Sequence, residues 1–195
     1  MIEKELKRLV EKYVYYIKAK SSKTVLSPEE LKTLAELEDE LSREDIKVVL
    51  EEEFVEELSP TRSSYLKDII EGKRKIISFE SEWERIYLIV GSDSALFRQI
   101  HETKEDLRAA FWLYFYHMKN LFRNALRELT RGDLSRASSM VIAIKQLLPS
   151  FLREDADEVL SYLRNRELDY ALEKLKELRN KVKKTLISSW RSRVG

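Results

Sequence analysis

There is no cysteine anywhere in the 195 residues. That excludes a disulfide framework and a thiolate metal site, and it fits a reducing interior. Glycine occurs four times and proline three times, which leaves little room for a glycine-rich phosphate loop. The only two histidines, His101 and His117, lie sixteen positions apart. No E-x-x-H or H-x-x-x-H spacing places a second ligand one turn away, so a di-metal site inside a helix bundle is not supported. No metal and no cofactor is expected. Glutamine occurs twice and asparagine four times, whereas charged residues make up 36% of the chain; this balance is the kind seen in proteins from hot environments. No apolar run approaches the roughly 20 residues that span a bilayer, and Met1-Ile2-Glu3-Lys4-Glu5 does not read as a secretory leader. The expectation is a cytoplasmic protein with no membrane partner.

What the chain does have is one dominant apolar stretch, at about 104–131. Leu107, Phe111, Tyr114, Met118, Phe122, Ala125 and Leu129 share one side at helical spacing. From Ala109 to Tyr116 every residue is apolar or aromatic, the signature of a helix buried on all sides. Thr103 with Asp106 gives a capping-box-like start and Gly132 a stop. This helix is expected to be the hub of the fold.

The other segments also read as helices. Over 2–20, Leu6, Leu9, Tyr13 and Ile17 form a stripe widened by Val10 and Val14. Tyr13, Tyr15 and Tyr16 make this segment more aromatic than a surface helix needs, so they are candidates for contact with a protein partner or a second copy. Ser27-Pro28-Glu29-Glu30 combines a cap, a proline at the first helical position and a reciprocal glutamate. Ser42 to Asp45 reads as the start of a further helix, with Ile46, Val49, Leu50 and Phe54 on its inner side. Ser59-Pro60 repeats the cap-then-proline device. The stretch 74–90 is ambiguous: Ile76 to Phe79 suits a short strand or a bend, and Phe79, Trp83, Ile86, Tyr87 and Val90 then suit a helix ending at Gly91. A short helix is expected over 95–101, after a linker at Ser92-Asp93-Ser94.

One internal similarity follows the central stretch. Leu129, Gly132, Asp133, Leu134 and Ala137 align with Leu163, Arg166, Glu167, Leu168 and Ala171 at an offset of 34 residues. The offset resembles the second helix of a tetratricopeptide unit. The positions that family reserves for aromatic residues and glycine hold Leu121, Ala125, Asp155 and Val159, so membership is not assigned and the reading is two consecutive helical hairpins packed side by side. The expected fold is all-α: a multi-helix bundle of antiparallel hairpins around the buried helix at about 104–131. An N-terminal helical region over 1–91 is followed by the central helix and C-terminal hairpins over 92–195.

Net charge is only +1, but it comes in blocks. Residues 21–60 carry four Lys/Arg against thirteen Asp/Glu; residues 98–153 carry ten against five; residues 179–195 carry six against none. Blocks of one sign predict faces that steer partners of the other sign. Arg123, Arg127 and Arg131 repeat every fourth residue and can track phosphates. Arg179, Lys181, Lys183, Lys184, Arg191 and Arg193, with Trp190 among them, form the stronger candidate for DNA, RNA or another acidic partner. No nucleophile, base and acid can be proposed from spacing, so catalysis is not expected. Two functions remain: a non-catalytic helical adaptor or scaffold subunit that mediates protein–protein interaction in a larger assembly, or a nucleic-acid-associated accessory subunit in replication, repair or RNA processing. A pI near 7.8 weighs against the second, since dedicated nucleic-acid binders are usually far more basic.

Overall fold

The computed structural model describes residues 2–59 and 65–193. Pro60, the proline of the second expected cap, lies outside them. The protein is mostly helical, but it is not all-α. Eight helices among the described residues, α1 (Ile2–Ser21), α2 (Pro28–Arg43), α3 (Phe54–Glu57), α4 (Tyr65–Ile70), α5 (Lys104–Thr130), α6 (Leu134–Leu147), α7 (Arg153–Arg164) and α8 (Leu168–Arg193), accompany three strands, β1 (Ile46–Leu50), β2 (Arg74–Glu80) and β3 (Arg85–Gly91). No helix among the described residues is long and apolar enough to cross a membrane. The chain divides into two compact units: Met1–Phe54 with Gly72–Asp106, and Val55–Glu71 with Leu107–Gly195.

The first unit holds the sheet, in the order β1-β3-β2 with both pairs antiparallel. Ile46 pairs with Val90 and Leu50 with Ile86 on one side; Arg74 pairs with Gly91 and Glu80 with Arg85 on the other. Two expected helices are therefore strand over most of their length: the one starting at 42–45 is β1 from Ile46 to Leu50 and helical only beyond it, and the one over 79–90 is the end of β2, a turn and β3. Two physical reasons account for the difference. β-Branched and aromatic residues crowd Ile46-Lys47-Val48-Val49-Leu50 and Ile86-Tyr87-Leu88-Ile89-Val90, and such residues fit a pleated surface better than a helix. The central strand β3 is also buried from Ile86 to Gly91 without alternation, because strands pair on both its edges and both faces are covered. Its apolar run then shows no period of two to betray it. Asp45, in the left-handed region at φ 52, ends the helical path after α2 and turns the chain into β1. Residues 95–99 form turns and 100–101 have no regular structure, so the expected short helix is absent there.

The apolar stripe of α1 supplies Leu6, Val10 and Val14 to a core shared with Leu41 of α2 and with Ile46, Leu50, Ile86, Leu88 and Val90 of the sheet. The start of α2 is as the residues indicate: the Ser27 side chain accepts from the Glu30 N–H, and the Glu30 carboxylate accepts from the Ser27 N–H. The start of α5 is anchored in the same way. The Asp106 N–H donates to Thr103 Oγ1 at 3.1 Å, while Asp106 Oδ2 accepts from both the Thr103 N–H and its hydroxyl. The Ser78 hydroxyl of β2 donates to the other oxygen of this buried carboxylate.

In the second unit the inner faces are Phe111, Leu113, Tyr114, Met118, Phe122 and Ala125 of α5, Ala137, Val141 and Ile144 of α6, Ala156, Val159 and Leu163 of α7, and Ala171, Leu175, Leu178, Val182 and Leu186 of α8. Helix α6 packs on α7 and α7 on α8. The two turns at offset 34 are built alike. Gly132 (φ 79) and Arg166 (φ 59) both take the left-handed conformation. The Asp133 N–H donates to the Glu128 carbonyl and the Glu167 N–H to the Tyr162 carbonyl, each across a five-residue gap. This is the Schellman ending, which satisfies the last carbonyls of a helix.

Candidate docking groove

Between α5 and α8 lies a groove of about 850 Å³. Trp190, near the end of α8, packs edge-on against Phe111, near the start of α5, with ring centroids 5.2 Å apart, so the two helices run in opposite directions along it. Helix α5 contributes Trp112, Phe115, Tyr116, Met118, Phe122 and Leu126; α8 contributes Val182, Leu186 and Ile187. The hub helix was expected to be buried all round from Ala109 to Tyr116. It is not: Trp112 is 60% exposed and Tyr116 44%. Their rings stack on each other at 5.5 Å with only 12° between planes, which holds both in the groove wall.

The rest of the lining is polar and of one sign. Lys119 and Arg123 on α5 and Arg179 and Lys183 on α8 contribute to it, with Asn180 beside them. Within each pair the residues stand one helical turn apart. Among the lining residues there is no carboxylate. Arg123 donates to the Asn120 side-chain oxygen at 2.6 Å, and among the described residues no ion pair neutralises any of the four cations.

The groove gathers three of the basic residues singled out from the sequence, Arg123, Arg179 and Lys183, and leaves the others elsewhere. Arg127 and Arg131 flank the buried carboxylate of Glu128, at 3.7 and 3.8 Å. Lys181 pairs with Asp155 at 3.1 Å. Burial alone would push the Asp155 carboxyl up, but hydrogen bonds from Lys181 and Lys174 outweigh it and hold the group below the usual carboxylate range. Arg193 lies over the Phe111 ring and donates to the Ile69 and Ile70 carbonyls, where α4 ends with carbonyls that no helical N–H can reach. Trp190, against Phe111, belongs to the packing of the same region. Lys184 and Arg191 are exposed on α8.

Tyr13, Tyr15 and Tyr16 belong to the first unit and take no part in the groove. Tyr13 packs against that unit's core, and burial, helped by Glu38 and Glu53, raises its phenol above the ordinary value. Tyr15 is 55% exposed and stacks on Trp83 of the β2–β3 turn at 6.5 Å, while Tyr16 meets it edge-on. Lys18 lies over Trp83 and pairs with Glu84 at 3.0 Å.

His117 is buried, and its Nε2 has no hydrogen-bond partner among the described residues. Burial lowers its pKa below the ordinary value, and a hydrogen bond with the Val55 backbone offsets only part of the shift. Among the described residues no three His, Asp or Glu side chains converge as a metal site would require.

The groove residues missed from the sequence include Trp112, Tyr116, Lys119, Val182, Leu186 and Ile187. Trp112, Tyr116, Lys119 and Arg123 do stand at i, i+4, i+7 and i+11, one face of α5; the missing signal was that this face looks outward. Comparison of the chain with protein-family models, with curated proteins and with solved structures finds no match. The fold and site define a mostly helical protein of two units, one of which carries an apolar groove rimmed by cations.

Proposed function

We propose that this chain is a non-catalytic adaptor whose second unit holds a segment of a partner protein in the groove between α5 and α8. In this reading α5 is the hub of antiparallel hairpins, and its outward face is kept for the partner. The observation that carries the proposal is the groove itself: Trp112, Tyr116 and Ile187 remain 60, 44 and 37% exposed at its surface. Clustered large apolar side chains rimmed by charge mark interaction sites, whereas single exposed ones do not. Aromatic residues and arginine are also the side chains that carry binding energy at protein interfaces.

The test is affinity capture from cells with the full chain and with a Trp112→Ser/Ile187→Ser double variant. Both positions are exposed, so the variant is expected to keep the wild-type circular-dichroism spectrum and melting temperature. Proteins retained by the wild type and lost from the variant support the adaptor. Identical retained sets refute it.

A second reading is favoured by one observation, the stacked Trp112–Tyr116 pair beside four cations, which suits single-stranded nucleic acid as well as protein. Titration with single- and double-stranded DNA and RNA at two salt concentrations separates the two. Binding at micromolar concentration or below that falls steeply with salt supports the accessory-subunit reading; no binding at low salt removes it.

A further inference from the structure

We infer that the occupant of the α5–α8 groove is an acidic amphipathic helix of the partner, a conclusion that rests on the adaptor reading. The first argument is polarity. Phe122 and Leu126 of one wall and Val182, Leu186 and Ile187 of the other are carbon surface. A nucleotide strand would lay phosphates and base edges along them and leave those groups without hydrogen-bond partners, which is costly. An apolar stripe of leucine-like side chains fills the same space without that cost. The second is dimension. From Trp112 to Leu126 the α5 wall covers fifteen residues, fourteen steps of 1.5 Å or about 21 Å, room for a helix of about four turns.

The third argument is charge. Lys119 and Arg123 stand on one wall and Arg179 and Lys183 on the other, with no carboxylate in the lining. A helix seated between these walls meets cations on both borders of its apolar stripe. Acidic residues at those borders, repeating every three or four positions, complement them; basic residues there would meet like charge in a partly desolvated rim, which selects against a basic partner. The chain's own acidic amphipathic helix, α2, is not a candidate for the groove, because Leu34, Leu37 and Leu41 of its stripe are already buried.

The test displays a library of amphipathic helices of about sixteen residues. Stripe positions vary among Leu, Ile, Met and Phe, and border positions among Glu, Gln and Lys. The library is selected on the full chain and counter-selected on the Trp112→Ser/Ile187→Ser variant; winning peptides and a fluorescent oligothymidine are then titrated. The inference expects glutamate to dominate the borders. It also expects affinity to fall about tenfold or more on Arg123→Glu/Lys183→Glu and to weaken with salt. Groove-dependent winners with glutamine or lysine at the borders overturn the acidic class and leave the docking groove standing. A library without groove-dependent winners overturns both, and so does oligothymidine binding that disappears in the Trp112→Ser/Ile187→Ser variant.

Discussion

The clearest single-atom test of the second unit is Tyr114→Phe. Tyr114 is 2% exposed, and its hydroxyl donates to the Leu147 carbonyl across 33 residues of chain. That carbonyl ends α6. The last carbonyls of a helix have no N–H one turn ahead to bond them, and here the Leu148 N–H turns back to the Lys145 carbonyl instead. Leu147 is itself buried, so water does not readily take the place of the phenol. Phenylalanine preserves ring and volume, which confines the change to one hydrogen bond and one stranded acceptor. A hydrogen bond contributes about 0.5–1.5 kcal/mol net, and a buried acceptor left unmade costs about 1–3 kcal/mol; the expected loss is about 2 kcal/mol. For a protein of this size that corresponds to roughly 4–8 °C in melting temperature.

The measurement is urea and thermal unfolding of wild type, Tyr114→Phe and a Tyr116→Phe control, the control being 44% exposed and expected within about 0.5 kcal/mol of wild type. Burial, and then the nearby Glu71, push the Tyr114 phenol far above its ordinary value, so the hydroxyl stays a donor throughout the neutral range and the loss should be the same at pH 6 and pH 9. A Tyr114→Phe loss below about 0.5 kcal/mol, or one that vanishes at pH 9, refutes the bond as an anchor of α6.

Other consequences are open to direct measurement. The His117 pKa is lowered by burial, so neutral imidazole favours the fold above pH 6.5 and stability is lost as pH falls below it, at about 1.4 kcal/mol per unit of lowering; an imidazole titration by NMR at or above 6.5 would remove this claim. At Gly91 an added Cβ would lie 1.7 Å from Asp45 Oδ2, whose carboxylate pairs with Arg74 at 3.2 Å. Gly91→Ala is therefore expected to destabilise the first unit by about 1–3 kcal/mol, and a melting temperature equal to wild type shows that the carboxylate moves aside freely. Arg166 carries a side chain in the left-handed position that Gly132 fills at the equivalent turn. Arg166→Gly is expected to stabilise by up to about 1 kcal/mol once the entropy of glycine in the unfolded chain is set against the relieved strain, and a destabilised variant would mean that the arginine is held there by contacts worth more than its strain.

Where the residues announced their structure, local chemistry sufficed. Ser27-Pro28-Glu29-Glu30 and Thr103 with Asp106 carry their caps within four positions, so no distant partner had to be known. The sheet was illegible because its evidence is non-local. Ile46, Val49, Leu50 and Phe54 also suit a helical stripe, and only the pairing of Ile46–Leu50 with β3 makes the first three part of a strand, while Phe54 begins α3. In β3 itself, burial on both faces erased the alternation that marks a strand. The groove was half legible: Arg123, Arg179 and Lys183 stood out by charge, but the outward aim of Trp112 and Tyr116 depends on how far α8 stands from α5, which no residue of α5 encodes.

That distinction bears on function more than on fold. Ten basic and aromatic positions were singled out from the sequence for an acidic partner, as an arginine row and a C-terminal cluster, and the structure accounts for five of them by other means. Arg127 and Arg131 pair with the buried carboxylate of Glu128; Lys181 pairs with Asp155; Trp190 packs and Arg193 caps at the meeting of Phe111 with the end of α4. Substituting any of these five would perturb folding as well as binding, so loss of affinity in such a variant identifies nothing. Arg123, Arg179 and Lys183 carry no ion pair among the described residues, and they border apolar surface that the fold leaves uncovered. Charge that the fold does not use, beside carbon surface it does not bury, is where a partner has to be sought first.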